Sequence, residues 1–143
     1  MVDFTRPVSD IMTKELITVQ PDELMTVVDR IFKTHKIHHI PVIEADGTVI
    51  GMISKSDYLR TLHSLSLFKT AKVEAYNEAV LKSLLVREVM AKQLARLRPE
   101  SPISLAADML LENLFHALPI VEDGRLVGIV TSIDLLKYAY KQY

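Results

Sequence analysis

A chain of 143 residues with 49% hydrophobic and 24% charged side chains has the profile of a globular protein large enough for one ordinary core. Its formal net charge of −1 offers no basic face for nucleic acid, and the absence of cysteine excludes disulfides and thiolate metal sites. The opening Met1–Pro7 lacks the pattern of a signal peptide, and no apolar run approaches the roughly 20 residues of a spanning helix. A cytoplasmic protein with neither DNA nor membrane as partner is expected.

In chain order, Leu16-Ile17-Thr18-Val19 reads as a strand stopped by Pro21, which cannot continue a ladder. Asp22 is placed as a helix N-cap, with Leu24, Val27, Val28, Ile31 and Phe32 forming an apolar stripe at helical spacing behind it. Ile40-Pro41-Val42-Ile43 and the run Thr48–Ile53 flank the turn signal Asp46-Gly47 and predict a hairpin, with a helix from about Ser56. Between residues 60 and 84 there is neither proline nor glycine. Leu62, Leu65, Phe68, Ala71 and residues 73–85 therefore predict a helical connector rather than a flexible linker.

The remainder repeats what came before. At an offset of 78, Met12 falls on Met90, Leu16 on Leu94, Pro21 on Pro99, His38 on His116 and Pro41 on Pro119. After a one-residue deletion opposite Ala45, Asp46-Gly47 meets Asp123-Gly124, Gly51 meets Gly128 and Asp57 meets Asp134, so that all four glycines match. Ser101-Pro102 predicts an N-cap with proline at the first helical position, and Leu105, Met109 and Leu110 carry the stripe. Glu122-Asp123-Gly124 turns a second hairpin between Leu118–Val121 and Leu126–Val130. A repeat of this size buries too little apolar surface alone, so the two copies are expected to form a single pseudo-two-fold α/β unit, residues 1–143. The repeats span 8–62 and 86–141, with the connector at 63–85.

The segment carrying most chemistry is Gly51-Met52-Ile53-Ser54-Lys55-Ser56-Asp57, repeated as Gly128-Ile129-Val130-Thr131-Ser132-Ile133-Asp134. It lies where a strand becomes a helix. Hydroxyls and free N–H groups there favour an anion such as phosphate, and an aspartate can accept hydrogen bonds from both ribose hydroxyls. The glycine gives room for close backbone approach. A plainer reading is that Ser54 and Thr131 cap helices while the aspartates sit at the positive dipole end.

These residues, together with Val8–Thr13, Ile17-Thr18-Val19, His39-Ile40-Pro41-Val42, Val86–Met90 and Ala117-Leu118-Pro119-Ile120, resemble a CBS-domain pair, or Bateman module (named after cystathionine β-synthase). The resemblance implies an α/β (α+β) fold of two β-α-β-β-α repeats, with small sheets packed against each other and flanking helices. It also implies two clefts taking adenosine ligands: AMP, ADP, ATP or S-adenosylmethionine. By position, Asp57 and Asp134 would hold ribose hydroxyls, with Ser54 and Thr131 near phosphate or ribose and Thr18 adding a hydroxyl. Residues around His39, Ile40 and Pro41, and around Ala117, Leu118 and Pro119, would line the adenine pocket, an apolar wall with few polar groups. Lys55 and Ser132, inside the repeated motif, are candidate phosphate contacts, with a plain solvated charge as the alternative for Lys55. Arg96 replaces Thr18 in the second copy, where it could pair with phosphate or fill the cleft.

His38, His39 and His116 precede the matched prolines, where a structural role stands beside the one the resemblance implies, facing the cleft within reach of phosphates. A metal site is not expected, because adjacent histidines point to opposite faces of a strand and no dense carboxylate cluster joins them. No GxSxG, P-loop or HExxH segment occurs, so no catalytic residue is assigned and no enzyme is expected. The expected function is a non-catalytic nucleotide sensor signalling to an effector protein or through self-association; the resemblance implies a homodimer, for which the apolar helices near Leu62–Leu65 and Leu135–Tyr140 are either contact faces or, equally, internal core. The alternative is a ligand-free interaction scaffold with vestigial clefts. Asp57→Ala and Asp134→Ala are expected to weaken binding with little cost in stability.

Overall fold

Two Asp-Gly pairs set two hairpins. The computed structural model describes residues 1–63, 72–113 and 115–141. Strands β1 (His39–Ile43) and β2 (Val49–Ser54) form one two-stranded sheet, and β3 (Ala117–Glu122) and β4 (Arg125–Thr131) form the other. The β3–β4 turn is Asp123-Gly124, both at positive φ (51° and 79°). That is the backbone of a type I′ turn, whose twist matches paired strands and which Asp-Gly tolerates. The β3–β4 register runs from Ala117 opposite Thr131 to Glu122 opposite Arg125, with a shift between Ile120 and Val121.

The helices are α1 (Met25–Thr34), α2 (Lys55–His63), α3 (Lys72–Ser83), α4 (Val86–Val89), α5 (Ile103–Leu111) and α6 (Ser132–Lys141), with a 3₁₀ turn at Val8–Asp10. The helical connector expected at 63–85 is helical over α3, while Leu65, Phe68 and Ala71 lie outside the described residues.

Both expected N-caps are displaced. Leu24, not Asp22, occupies the N-cap of α1, and Pro102, not Ser101, that of α5. The reason is that these helix starts are satisfied by backbone rather than side chains. The Met25 N–H donates to Leu84 O at 2.9 Å, and the Ile103 and Ser104 N–H groups donate to Arg6 O and Phe4 O, each at 2.8 Å. The Asp22 carboxylate instead pairs with Arg87, and Ser101 Oγ accepts from the Arg98 N–H at 3.0 Å. The expected strand at Leu16–Val19 shrinks to a single parallel bridge, Val19 with Val42, and its counterpart to Leu97 with Ile120.

By contacts the chain divides into two compact units that do not follow the sequence repeats. One comprises residues 17–45 and 50–92, the other residues 1–16, 46–49 and 93–143. In the first, Val19, Met25, Val28, Phe32, Ile40, Val42, Ile53, Tyr58, Leu81 and Val86 form the core. In the second, Val8, Leu97, Ile103, Ala106, Leu118, Ile120 and Val130 do so. The helical stripes are bent from the expected ones: Met25 joins the α1 core while Leu24 is exposed, and Ile103 and Ala106 anchor α5 while Leu105 is exposed.

Each unit completes its hairpin with a segment distant in sequence. Thr13 and Ile129 exchange N–H···O bonds at 2.9 and 3.1 Å, placing the N-terminal segment along β4. Met52 and Ala91 do the same at 3.0 and 2.9 Å, placing the segment after α4 along β2. Both hairpins are thus flanked by a parallel bridge on one strand and an antiparallel bridge on the other.

Candidate functional site

In each unit a strand passes directly into a helix, Ser54 into Lys55 and Thr131 into Ser132. The turn is closed by a reciprocal cap. The Asp57 N–H donates to Ser54 Oγ at 3.0 Å while the Ser54 N–H donates to Asp57 Oδ2 at 3.2 Å. This is a capping box with aspartate in place of glutamate. In the other unit the Thr131 N–H and Oγ1 both donate to Asp134 Oδ2, at 2.9 and 3.2 Å. The plain capping reading therefore describes Ser54, whereas Thr131 Oγ1 donates to the Asp134 carboxylate. The second carboxylate oxygen of each aspartate faces other groups. Asp57 Oδ1 lies 3.4 Å from the mostly exposed Arg60 guanidinium, and Asp134 Oδ1 accepts from Thr13 Oγ1 at 3.1 Å.

The first unit draws further sequence-predicted residues to the same place. The Lys55 N–H donates to His38 O at 2.8 Å, so the chain before β1 is tied to the start of α2. His38 is exposed, whereas His39, Thr18, Ser54, Lys55 and Asp57 are half-buried. Ile40 and Pro41 are buried, Ile40 within the unit's core. In the second unit Thr131 and Asp134 are half-buried, His116 and Ser132 are exposed, and Ala117, Leu118 and Pro119 are buried. The apolar candidates are thus buried in the hairpins, Ile40 and Leu118 within the cores of their units.

Arg96 is not brought to Asp134 within this unit. Its Nη2 donates to Val49 O at 2.9 Å. It lines an open pocket of about 600 Å³ with Arg98, Glu100, Glu122, Asp123 and Gly124. That pocket lies at the turn end of the β3–β4 hairpin, whereas Thr131 and Asp134 mark its other end.

The motif glycines do leave room for a close approach. A Cβ at Gly51 would stand 2.4 Å from Met90 Sδ, and one at Gly128 the same distance from Met12 Sδ. The close approach that each glycine permits is taken by a methionine of its own unit. The sequence aligns Met12 with Met90 and places Thr13 in the same duplicated segment, but assigns none of them a task. The one available signal was the position of Met12-Thr13 inside a duplicated segment. Among the described residues no group of three or more His, Cys, Asp or Glu side chains is placed to hold a metal ion, and no helix is long and apolar enough to cross a membrane.

Two hairpins, each leading through a hydroxyl-and-aspartate cap into a helix, define a tandem-repeat α/β module. The CBS domain family model matches residues 8–64 and 86–141, and the chain belongs to that family. It is 33% identical to an uncharacterized protein of Methanocaldococcus jannaschii, over 91% of this chain and 89% of that one. Among solved structures it is similar to CBSX2 of Arabidopsis thaliana in complex with AMP (26% identity, TM-score 0.78, 95% of this chain and 97% of that one). It is also similar to the CBS domain pair of protein MJ0100 in complex with 5′-methylthioadenosine and S-adenosyl-L-methionine (25% identity, TM-score 0.73, 96% and 98%). Other relatives are much longer: the chain spans 23% of a homoserine O-acetyltransferase from Methanohalobium evestigatum.

Proposed function

We propose that this protein is a non-catalytic regulatory module that binds an adenosine-type ligand, AMP, ADP, ATP or S-adenosylmethionine, through the two helix starts at Ser54–Asp57 and Thr131–Asp134. The observation that carries the reading is the twofold occurrence of one arrangement, a half-buried carboxylate held at the N-terminus of a helix beside a hydroxyl. Such a carboxylate accepts ribose hydroxyls, and the neighbouring N–H groups and dipole favour phosphate. The AMP and S-adenosylmethionine complexes of CBS-pair relatives support the ligand class.

Asp57 and Asp134 take the ribose. Ser54, Lys55, Thr131 and Ser132 stand near phosphate or ribose, and Thr18, His38, His39 and His116 add polar contacts. Ile40, Pro41, Ala117, Leu118 and Pro119 hold the apolar wall in place. Arg96 keeps most of its donors beyond the one given to Val49 O, and in this reading it serves phosphate. Signalling follows if ligand binds two arrangements of the protein with different affinity and an effector protein reads the difference. Ile133, Leu136 and Tyr140 form an exposed apolar stripe along α6, while Leu135 and Tyr138 pack inward. That stripe fits a second copy of the chain in a homodimer.

The capping bonds already made by both aspartates favour one competing reading, a scaffold whose sites stay empty. A thermal-shift screen against AMP, ADP, ATP, S-adenosylmethionine and NAD separates the two. A ligand at 100 times its dissociation constant adds about 2.7 kcal/mol of stability. A shift with an adenosine ligand supports the sensor; no shift with any of them favours the scaffold.

A further inference from the structure

The two aspartates are equivalent in the repeat but not in their surroundings. A carboxylate offers about four acceptor positions. Asp134 has three of them filled from within its own unit: two on Oδ2 by the Thr131 N–H and Oγ1, and one on Oδ1 by Thr13 Oγ1. Asp57 accepts one firm hydrogen bond, from the Ser54 N–H, and a long contact from the exposed Arg60. The residue that stands where Thr13 does is Ala91, since Thr13 pairs with Ile129 as Ala91 pairs with Met52. Alanine has no hydroxyl to give. Holding both hydroxyls of a ribose diol takes two acceptor positions, which Asp57 has and Asp134 lacks while Thr13 is bonded to it.

We infer that Thr13 is a specificity-determining residue: its hydroxyl occupies Asp134 Oδ1 and makes the Asp134 site the weaker of the two for a ribose diol. The inference rests on the reading that these aspartates bind ribose. With the Thr131 and Thr13 hydroxyls both bonded to it, Asp134 keeps one free position, and removing the Thr13 hydroxyl leaves the two that a diol needs. Thr13 is held beside Asp134 by the bridge that its backbone makes to Ile129 at 2.9 and 3.1 Å. The sign of the effect follows: removing this hydroxyl tightens binding, although it removes a hydrogen bond from the free protein.

The test uses the full chain in the Asp57→Asn background, which isolates the Asp134 site, with AMP, ADP and S-adenosylmethionine as probes in titration calorimetry. Thr13→Val keeps the shape and removes the donor. It is expected to bind roughly three- to tenfold more tightly, the factor corresponding to one exchanged hydrogen bond. Thr13→Ser is expected to keep the parent affinity. With 2′-deoxy-AMP, which lacks the diol, the gain is expected to vanish, a difference no general loosening of the fold would produce. In the Asp134→Asn background the converse change, Ala91→Thr, is expected to weaken the Asp57 site by a similar factor. Unchanged or weaker binding in Thr13→Val, with Asp134→Asn still abolishing that site, overturns this inference and leaves the functional reading standing. No binding of any probe in the wild-type protein overturns both.

Discussion

Replacing Gly51 with alanine tests whether the motif glycine makes room for a side chain of the protein or for a ligand. The added Cβ would lie 2.4 Å from Met90 Sδ, 2.9 Å from its Cγ and 3.1 Å from its Cβ. Comfortable carbon contacts begin near about 3.5 Å. The thioether can swing away, but the Met90 Cβ is tied to backbone, and the next residue, Ala91, is bridged to Met52 at 3.0 and 2.9 Å. Relief must therefore come from moving either that bridge or β2, and overpacking of this kind costs about 1–3 kcal/mol. For a chain of this size that lowers Tm by roughly 3–10 °C in the absence of any ligand. Thermal unfolding followed by circular dichroism measures it. Met90→Ala should remove most of the penalty, with a coupling on the order of 1–2 kcal/mol in a double-mutant cycle, and Gly128 with Met12 should behave alike. A Gly51→Ala protein as stable as wild type, or one that loses the same amount with and without Met90, would refute the packing argument.

Four further outcomes follow from named residues. Ser54→Ala removes the acceptor of the Asp57 N–H and should cost about 0.5–2 kcal/mol in urea unfolding. Because the Asp57 carboxylate closes the same capping box, Asp57→Ala should also lose roughly 1 kcal/mol, contrary to the expectation that a cleft aspartate adds little; Asp57→Asn retains an acceptor and is the cleaner probe of binding. Leu118→Ala, at a fully buried core position, should cost about 2–5 kcal/mol. Tyr58 governs an alkaline effect: burial, then its hydrogen bond to the Asp29 carboxylate and the charge there, hold its proton well above the ordinary value of 10.0. The folded chain keeps the proton after the unfolded chain has lost it, so this contribution is complete below about pH 10 and falls as pH rises further. Tyr58→Phe should flatten the stability slope above pH 10; an unchanged slope would remove the assignment.

Local chemistry was readable in the sequence where a few adjacent residues decide the backbone. Asp123-Gly124 specified a hairpin turn because both residues adopt positive φ at low cost, and the strand-to-helix passages at Ser54 and Thr131 stood out by their repetition. What escaped was decided at long range. Asp22 and Ser101 are good capping residues, yet Leu84 O and Arg6 O reach the helix starts first, and no propensity contains that fact. Leu16–Val19 has strand composition but finds only one partner residue, Val42. Above all, periodicity within a repeat does not reveal that residues 1–16 pack with the second repeat, and so neither the seat of Met12 on Gly128 nor the bond from Thr13 to Asp134 was visible.

Titration calorimetry of AMP into wild type, Asp57→Asn and Asp134→Asn tests the central proposal most directly. The account predicts two binding events of unequal affinity in the wild type, with the tighter one lost in Asp57→Asn and the weaker one in Asp134→Asn. Heats and affinities identical in all three proteins would contradict it, because ribose recognition would then owe nothing to either carboxylate.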